Sequence, residues 1–305
     1  MALSKHFIDQ FVNVTSRAAL ASSYLVGKKD KIAADKAAVD AMRSELNKIN
    51  FKGKIVIGEG ELDEAPMLYI GETVGCGDAP EFDIAVDPLE GTNFAANNLP
   101  GALSVIAISE KNNLFHAPET YMEKISSKAK ESGVIDLDYT VKKNVSNLSD
   151  YLNKNIENLT ACVLNRPRHQ KIIDELKKLK VKIKLITDGD VSGALLVTDQ
   201  KYNVDIFLGT GGGPEGVLAA TALDAFNCGF QGRFLFKSNE EKLRAKKMGI
   251  DDLTKKYELN EIVSGDSIFC ATGITSGDLV AGIEIQGNNF ITETLVTHKS
   301  SGLKK

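Results

Sequence analysis

The sequence contains no long apolar run. None of its segments approaches the ~20 consecutive apolar residues that a membrane-spanning helix needs, so we expect no membrane partner. The start of the chain, MALSKHFIDQF, has neither the apolar stretch nor the small-residue cleavage site of a secretory signal. We therefore expect a cytoplasmic protein.

Cysteines are few and widely spaced. The chain has 4 of them, Cys76, Cys162, Cys228 and Cys270, with no CxxC pair and no histidines at zinc-binding spacing. This pattern is typical of reduced, mostly buried thiols in a cytosolic protein. It predicts neither a disulfide framework nor a zinc site.

An excess of positive charge is also missing. The 305 residues include 37 Lys+Arg and 41 Asp+Glu, for a net charge of −4. A mildly acidic chain with mixed charges neutralises phosphates poorly, which argues against a nucleic-acid partner. Hydrophobic residues at 43% and charged residues at 26% are ordinary globular values, and the length allows one large domain or two compact ones.

The spacing of apolar residues predicts helices first and an alternation of strands and helices later. Helices are expected at 4–26 and 30–49, and strands at 54–57, 82–87 and 102–108, the second of them ended by Pro88. Further strands are expected at 160–164, 182–186, 204–208 and 233–236, and further helices at 169–179, 191–197, 216–227 and 240–248. This alternation predicts an α/β fold with a mostly parallel sheet. Two extended runs in residues 279–297 predict a hairpin around Gly287-Asn-Asn.

The stretch from 110 to 158 is the most polar and least periodic part of the chain. We therefore expect a domain boundary near its end. The predicted domains are 1–158, an α+β domain carrying the acidic motifs, and 159–305, an α/β domain carrying substrate-binding loops and Glu215.

Acidic residues follow several predicted strands. They are Glu59 and Glu61, Asp87 and Glu90, Asp188 and Asp190, and finally Glu215 after a Gly-rich loop. Ligands of open α/β sheets bind outside the carboxyl ends of the strands, so we expect these side chains to line one site. Clustered carboxylates repel each other unless a cation lies between them, and oxygen ligands favour Mg²⁺ or Mn²⁺ over zinc. Any single acidic residue in a loop is more often simply solvated.

The segment Asp87-Pro-Leu-Glu-Gly-Thr92 is more specific than the separate carboxylates. Pro88 fixes the backbone and redirects the turn, so that Glu90 can face an ion bound by Asp87. Gly91 lets a ligand approach the backbone, and Thr92 begins a helix whose N–H groups favour an anion. A metal site beside an anion-binding helix start is what hydrolysis of a phosphate ester needs.

Together with Gly58-Glu-Gly-Glu61, this segment resembles the lithium-sensitive, metal-dependent sugar phosphatase superfamily, and most closely the class II fructose-1,6-bisphosphatases of bacteria. Further matching segments run along nearly the whole chain in family order: 33–35, 57–72, 117–122, 166–169, 188–190, 211–216 and 271–278. The resemblance implies a layered αβαβα sandwich, removal of the 1-phosphate of fructose 1,6-bisphosphate in gluconeogenesis, and a homo-oligomer.

The resemblance also implies roles for individual residues. Two Mn²⁺ or Mg²⁺ ions would be bound. Asp35 and Glu59 would hold one ion, and Asp87, Glu90 and Glu215 would hold the other. The residues lining the substrate would be Glu90, Gly91, Thr92, Tyr121, Arg166, Pro167, Arg168, Asp188, Gly189, Asp190 and Gly212. Thr92 would orient the attacking water, with Glu61 or Asp63 accepting its proton. Arg166 and Arg168 would hold the distal 6-phosphate, and Asp188 and Asp190 would accept from sugar hydroxyls.

Alternative interpretations remain at this point. Tyr121 suits a core or interface position equally well, Asp188-Gly-Asp190 could be a plain turn, and His169 fits a helix cap or surface residue better than a ligand. Gly211-x-Gly213-x-x-Gly216 formally matches a dinucleotide-binding loop, although a carboxylate at Glu215 would repel a pyrophosphate. A non-catalytic sugar-phosphate sensor is another alternative, and a sedoheptulose 1,7-bisphosphate activity could accompany the main one.

Overall fold

The structure, a computed structural model, describes residues 3–58, 68–287 and 289–305. The chain divides into two units. Unit 1 consists of Met1–His116 and Val263–Lys305, and unit 2 of Ala117–Ile262. The break predicted at 158/159 thus falls inside unit 2, because the polar stretch before it pairs with later strands of that unit.

The described helices are amphipathic or buried segments bounded by caps and glycines. They are α1 (His6–Ser23), α2 (Lys31–Leu46), α3 (Thr92–Ala96), α4 (Val141–Leu152), α5 (Gln170–Lys178), α6 (Asp190–Leu195), α7 (Gly213–Phe226), α8 (Asn239–Lys247) and α9 (Leu259–Ile262). Short 3₁₀ turns lie at Ile156–Asn158, Pro167–His169, Leu196–Thr198 and Gln200–Tyr202. Within the described ranges, no helix is both long and apolar enough to cross a membrane.

The strands form two large sheets and a hairpin. In the described residues they are β1 (Lys52–Ile57), β2 (Thr73–Val74), β3 (Glu81–Glu90), β4 (Leu103–Glu110), β5 (Tyr121–Ser127), β6 (Thr160–Leu164), β7 (Lys182–Ile186), β8 (Ile206–Gly212), β9 (Gly229–Leu235), β10 (Lys256–Glu258), β11 (Ser267–Gly273), β12 (Glu284–Gln286), β13 (Asn289–Ile291), β14 (Thr294–His298) and β15 (Leu303–Lys304).

Unit 1 is built on a sheet with the order β15-β14-β11-β4-β3-β1-β2. Only β1 and β3 pair in parallel among its described strands. Helix α1 contributes Phe7 and Phe11 to an aromatic cluster, in which the ring centres of Phe7 and Phe82 are 5.1 Å apart and those of Phe11 and Phe51 are 5.7 Å apart. Both pairs meet edge to face, which is a favourable geometry for aromatic rings.

Unit 2 is built on a sheet with the order β10-β9-β5-β8-β6-β7. Strands β6, β7 and β8 pair in parallel, as the alternating pattern predicts, whereas β5 lies antiparallel between β8 and β9. Its core is formed by apolar side chains such as Ile125, Val163 and Leu208 of the sheet and Leu148 and Leu176 of the helices.

The predicted α/β class is confirmed, but the expectation of a mostly parallel sheet is wrong. In unit 2 the reason is β5, which comes from the polar stretch where no element was predicted and pairs antiparallel with both neighbours. In unit 1 the described strands pair antiparallel except β1 with β3. The expected end of a strand at Pro88 is also wrong, since β3 continues to Glu90. The expected hairpin around Gly287 is present as β12 and β13.

Candidate active site

The acidic segment of unit 1 lies at an irregularity in β3. Asp87 pairs with Val105 of β4 and Glu90 with Leu103, so three steps along β3 correspond to two along β4. Such a bulge accommodates Pro88, which cannot donate a ladder hydrogen bond, and redirects the side chains around it. One carboxylate oxygen of Asp87 and one of Glu90 thereby lie within 4.8 Å of each other. This pair could hold a divalent cation.

The residues after this pair turn the chain into α3. Gly91 has a φ of +81° and is the N-cap of the helix, and its carbonyl accepts from the N–H groups of Phe94 at 2.8 Å and Ala95 at 3.2 Å. Thr92 is half-buried at the first helical position. The local geometry predicted for this segment, a carboxylate pair followed by a helix start, is therefore present.

The other predicted ligands of unit 1 are only partly described. Asp35 lies on α2 with its Oδ1 atom buried. Glu59, Glu61 and Asp63 lie outside the described residues.

In unit 2, a buried lysine joins two of the predicted substrate-binding positions. Lys124 of β5 is 1% exposed, and its ammonium group pairs with Asp190 and donates to the Gly212 carbonyl at 2.7 Å. Since a buried charge is stable only when it is paired, this contact fixes Asp190 at the start of α6. Lys124 was not predicted, because β5 itself left no periodic signal.

Glu215 lies in the first turn of α7. Its Oε2 atom is buried and has no hydrogen-bond partner among the described residues. Burial, reinforced by the nearby Asp190 charge and opposed by Lys124, raises the pKa of this carboxyl group. A buried carboxylate oxygen without a hydrogen-bond donor is suited to bind a cation. The cation would compensate both the burial of the charge and its repulsion by Asp190.

One of the two predicted phosphate-binding arginines contacts an aromatic ring, and the other contacts a carboxylate. The guanidinium carbon of Arg168 lies 5.0 Å from the ring centre of Tyr121, and its Nε donates to the Thr210 carbonyl at 2.9 Å. Arg166 lies 3.6 Å from Asp188, a loose contact between partly exposed side chains. The structure therefore brings Tyr121, Arg166, Arg168 and Asp188 to the same end of the unit 2 sheet. Pro167 begins a 3₁₀ turn between the two arginines, and Gly189 is the N-cap of α6 directly after Asp188.

His169 is the N-cap residue of α5, in line with the cap alternative, but its side chain makes no capping hydrogen bond and is buried rather than on the surface. Its Nε2 accepts from the Thr210 N–H at 2.8 Å, so Nδ1 carries the proton and donates to the Leu164 carbonyl at 2.8 Å. Burial lowers the pKa of the imidazole, which stays neutral and links β6 to β8. This role is structural.

The dinucleotide alternative does not fit the Gly211–Gly216 segment. Strand β8 runs through Gly212 and α7 begins at Gly213, so no loop lies between them to enclose a pyrophosphate. A Cβ atom on Gly211 would lie 1.8 Å from Oδ2 of Asp190. The glycine therefore faces a carboxylate at close range, where a pyrophosphate would be repelled.

Comparison with known proteins agrees with the geometry. The family model described as "Bacterial fructose-1,6-bisphosphatase, glpX-encoded" matches residues 5–305. Two relatives, from Synechococcus sp. (strain JA-3-3Ab) and Thermosynechococcus vestitus (strain NIES-2133 / IAM M-273 / BP-1), are both called D-fructose 1,6-bisphosphatase class 2/sedoheptulose 1,7-bisphosphatase. The first is 40% identical over 317 residues and the second 41% over 320; each alignment covers 96% of this chain, and 91% and 92% of the relative.

Among solved structures, CysQ from Bacteroides thetaiotaomicron, a bacterial member of the inositol monophosphatase family, matches with 16% identity and a TM-score of 0.35. The match covers 63% of this chain and 76% of that chain. The assignment rests instead on the family model, which spans nearly the whole sequence, and on relatives at about 40% identity. The chain belongs to the glpX-encoded bacterial fructose-1,6-bisphosphatase family.

Proposed function

We propose that this protein removes the 1-phosphate of fructose 1,6-bisphosphate, giving fructose 6-phosphate and inorganic phosphate, as a cytoplasmic enzyme of gluconeogenesis. The observation that carries the proposal is the Asp87–Glu90 pair at the β3 bulge, with carboxylate oxygens within 4.8 Å of each other, in a chain of this family. A homo-oligomer, dimer or tetramer, is part of the proposal, and light scattering would measure its mass.

The proposed metal ligands are Asp35 and Glu59 for one ion and Asp87, Glu90 and Glu215 for the other. The unpartnered buried oxygen of Glu215 supports a cation there. The all-oxygen donor set suits Mn²⁺ or Mg²⁺. When bound, such ions polarise the phosphoryl group and lower the pKa of a coordinated water.

The chain's own residues would place the substrate and handle the proton. The Thr92 hydroxyl orients the attacking water, and the carboxylate of Glu61 or Asp63 accepts its proton. Asp188 and Asp190 accept hydrogen bonds from sugar hydroxyls, and the contact with Lys124 holds Asp190 in place. Arg166 and Arg168 hold the 6-phosphate through charge-assisted hydrogen bonds.

The test is phosphate release from a panel of sugar bisphosphates and inositol phosphates, with Mn²⁺, Mg²⁺ or EDTA. We expect release from fructose 1,6-bisphosphate with Mn²⁺ or Mg²⁺ and none with EDTA. Full activity in a metal-free preparation, or release only from inositol phosphates, would contradict the proposal.

Sedoheptulose 1,7-bisphosphate is a second candidate substrate. It is favoured by the relatives at about 40% identity, whose names include both activities. Both sugars carry a phosphate at each end, so one pair of phosphate sites can serve both. Comparable kcat/KM values on the two bisphosphates would support the double activity, and hydrolysis of the fructose ester alone would exclude it.

A further inference from the structure

The ring of Tyr121 is contacted by two cations. Besides Arg168, the ammonium group of Lys237 lies 4.0 Å from the ring centre. Within the described residues neither cation pairs with a carboxylate: Arg168 donates to a backbone carbonyl, and Lys237 has the ring as its contact. Both side chains are exposed. Two like charges held against one ring repel each other, and an anion between them would turn that repulsion into attraction.

The position of Lys237 is set by the backbone around it. Tyr121 pairs directly with Leu235 at the end of β9, two residues before Lys237. The Lys237 N–H donates to Oε2 of Glu241 at 2.5 Å, and Glu241 also forms the capping box with Ser238 at the start of α8. The same carboxylate accepts from the hydroxyl of Thr120 at 3.4 Å, and that hydroxyl also donates to the Leu235 carbonyl at 2.8 Å. The segment carrying Lys237 is thus tied to the residue next to Tyr121.

This pair of cations adjoins the proposed sugar site. On its other side Tyr121 pairs with Gly212 of β8, whose carbonyl accepts from Lys124. Lys124 in turn holds Asp190, the proposed acceptor of sugar hydroxyls. Directly paired residues of antiparallel strands lie about 4.5–5.5 Å apart between Cα atoms. Tyr121, with its two cations, is thus linked to Asp190 through Gly212 and Lys124.

We infer that Lys237 is a substrate-binding residue that acts with Arg168 on the phosphate distal to the scissile bond, with the Tyr121 ring as their common support. This inference rests on the proposed function, because the ligand is the second phosphate of the same bisphosphate substrate. Lys237 adds a point charge beside the planar guanidinium, and so selects for a phosphate over an uncharged group at that end of the sugar.

The test compares Lys237→Met with Lys242→Met, which removes the same charge from an exposed position on the neighbouring helix α8. For fructose 1,6-bisphosphate, we expect Lys237→Met to raise KM about tenfold with little change in kcat, as for the loss of one charged hydrogen bond. A small aryl monophosphate has no distal phosphate and should be hydrolysed at the wild-type rate. Lys237→Arg should restore most of the affinity, and Lys242→Met should match the wild type throughout.

Calorimetric binding of fructose 6-phosphate gives a readout independent of turnover. Lys237→Met should weaken this binding about tenfold. An unchanged dissociation constant and unchanged KM would overturn the inference, as would equal losses on the bisphosphate and the aryl ester. If the wild type hydrolyses no sugar bisphosphate, the proposed function fails, and the binding of fructose 6-phosphate to the two variants still decides the role of Lys237.

Discussion

Gly211 of β8 has no room for a side chain. A Cβ atom there would lie 1.8 Å from Oδ2 of Asp190, the carboxylate held by Lys124. We therefore expect Gly211→Ala to displace Asp190, to destabilise the protein by about 1–3 kcal/mol and to raise KM for the sugar substrate. Thermal melting and steady-state kinetics measure the two effects.

Gly209, on the same strand, supplies the matched control. Its added Cβ would find Nε2 of His169 as the nearest atom at 3.4 Å, an ordinary contact distance. Gly209→Ala should leave KM unchanged. If the two variants behave alike, the close approach of Gly211 to Asp190 does not matter for binding.

Glu215 is the second residue with a direct test. Glu215→Gln keeps the size of the side chain and removes the charge, so we expect Mn²⁺ affinity to fall at least tenfold and turnover to be largely lost, with partial rescue by excess Mn²⁺. Circular dichroism should show an intact fold. Glu240→Gln is the control, because Glu240 also lies in the first turn of a helix but is exposed. Unchanged calorimetric binding of Mn²⁺ to Glu215→Gln would remove it from the metal site.

Single residues differ in how visible their role is in the sequence. Asp87, Glu90 and Glu215 stand out because carboxylates beside Gly and Pro after apolar strands have a chemical meaning without the fold. Lys124 and Lys237 do not stand out, since lysine is common and its role depends on which strands pair. Only the pairing of β5 with both β8 and β9 brings the two lysines to Gly212 and Tyr121, respectively.

The N-terminus of helix α2 is capped by one side chain, that of Asp30. Asp30 accepts from the Ala33 N–H at 2.9 Å, and α2 carries the proposed metal ligand Asp35. Asp30→Ala should lower the free energy of unfolding by about 1 kcal/mol, measured by urea denaturation. Asp40→Ala on the same helix removes an exposed pair with Lys36 and should cost at most about 0.5 kcal/mol. Equal losses would show that the cap contributes nothing special.

Helices and strands whose apolar residues recur at a clear period were predicted well, and those without such a period were missed. The predicted strands 160–164 and 182–186 coincide with β6 and β7, because a short apolar run between polar turns can form few structures other than a buried strand. Strand β5 has no such signal, yet it occupies the interior of the unit 2 sheet and joins β8 to β9. Pro88 was expected to end a strand because proline has no N–H to donate to the neighbouring strand. At the bulge between Asp87 and Glu90 no such hydrogen bond is required, so the strand continues.

The four cysteines report on the packing of the whole molecule. Cys76 is exposed, whereas Cys162, Cys228 and Cys270 are buried, and burial raises the pKa of the Cys270 thiol, which suppresses its thiolate. We expect one fast-reacting thiol per native chain with Ellman's reagent and four in denaturant. Cys76→Ser should abolish the fast phase. Two or more fast thiols in the native protein would mean that its core is more open than the structure shows.

Unit 2 is one continuous segment set between two parts of unit 1. The chain leaves unit 1 at His116 and returns at Val263, where Val263 bridges back to Leu114. Unit 1 therefore receives β11, the strand between β4 and β14, only after all of unit 2 has been synthesised. On the ribosome, unit 2 can finish folding while the unit 1 sheet still has β4 as an open edge. A chain released early, before β11, would present that edge to other nascent chains, and strand-to-strand aggregation is the outcome we expect.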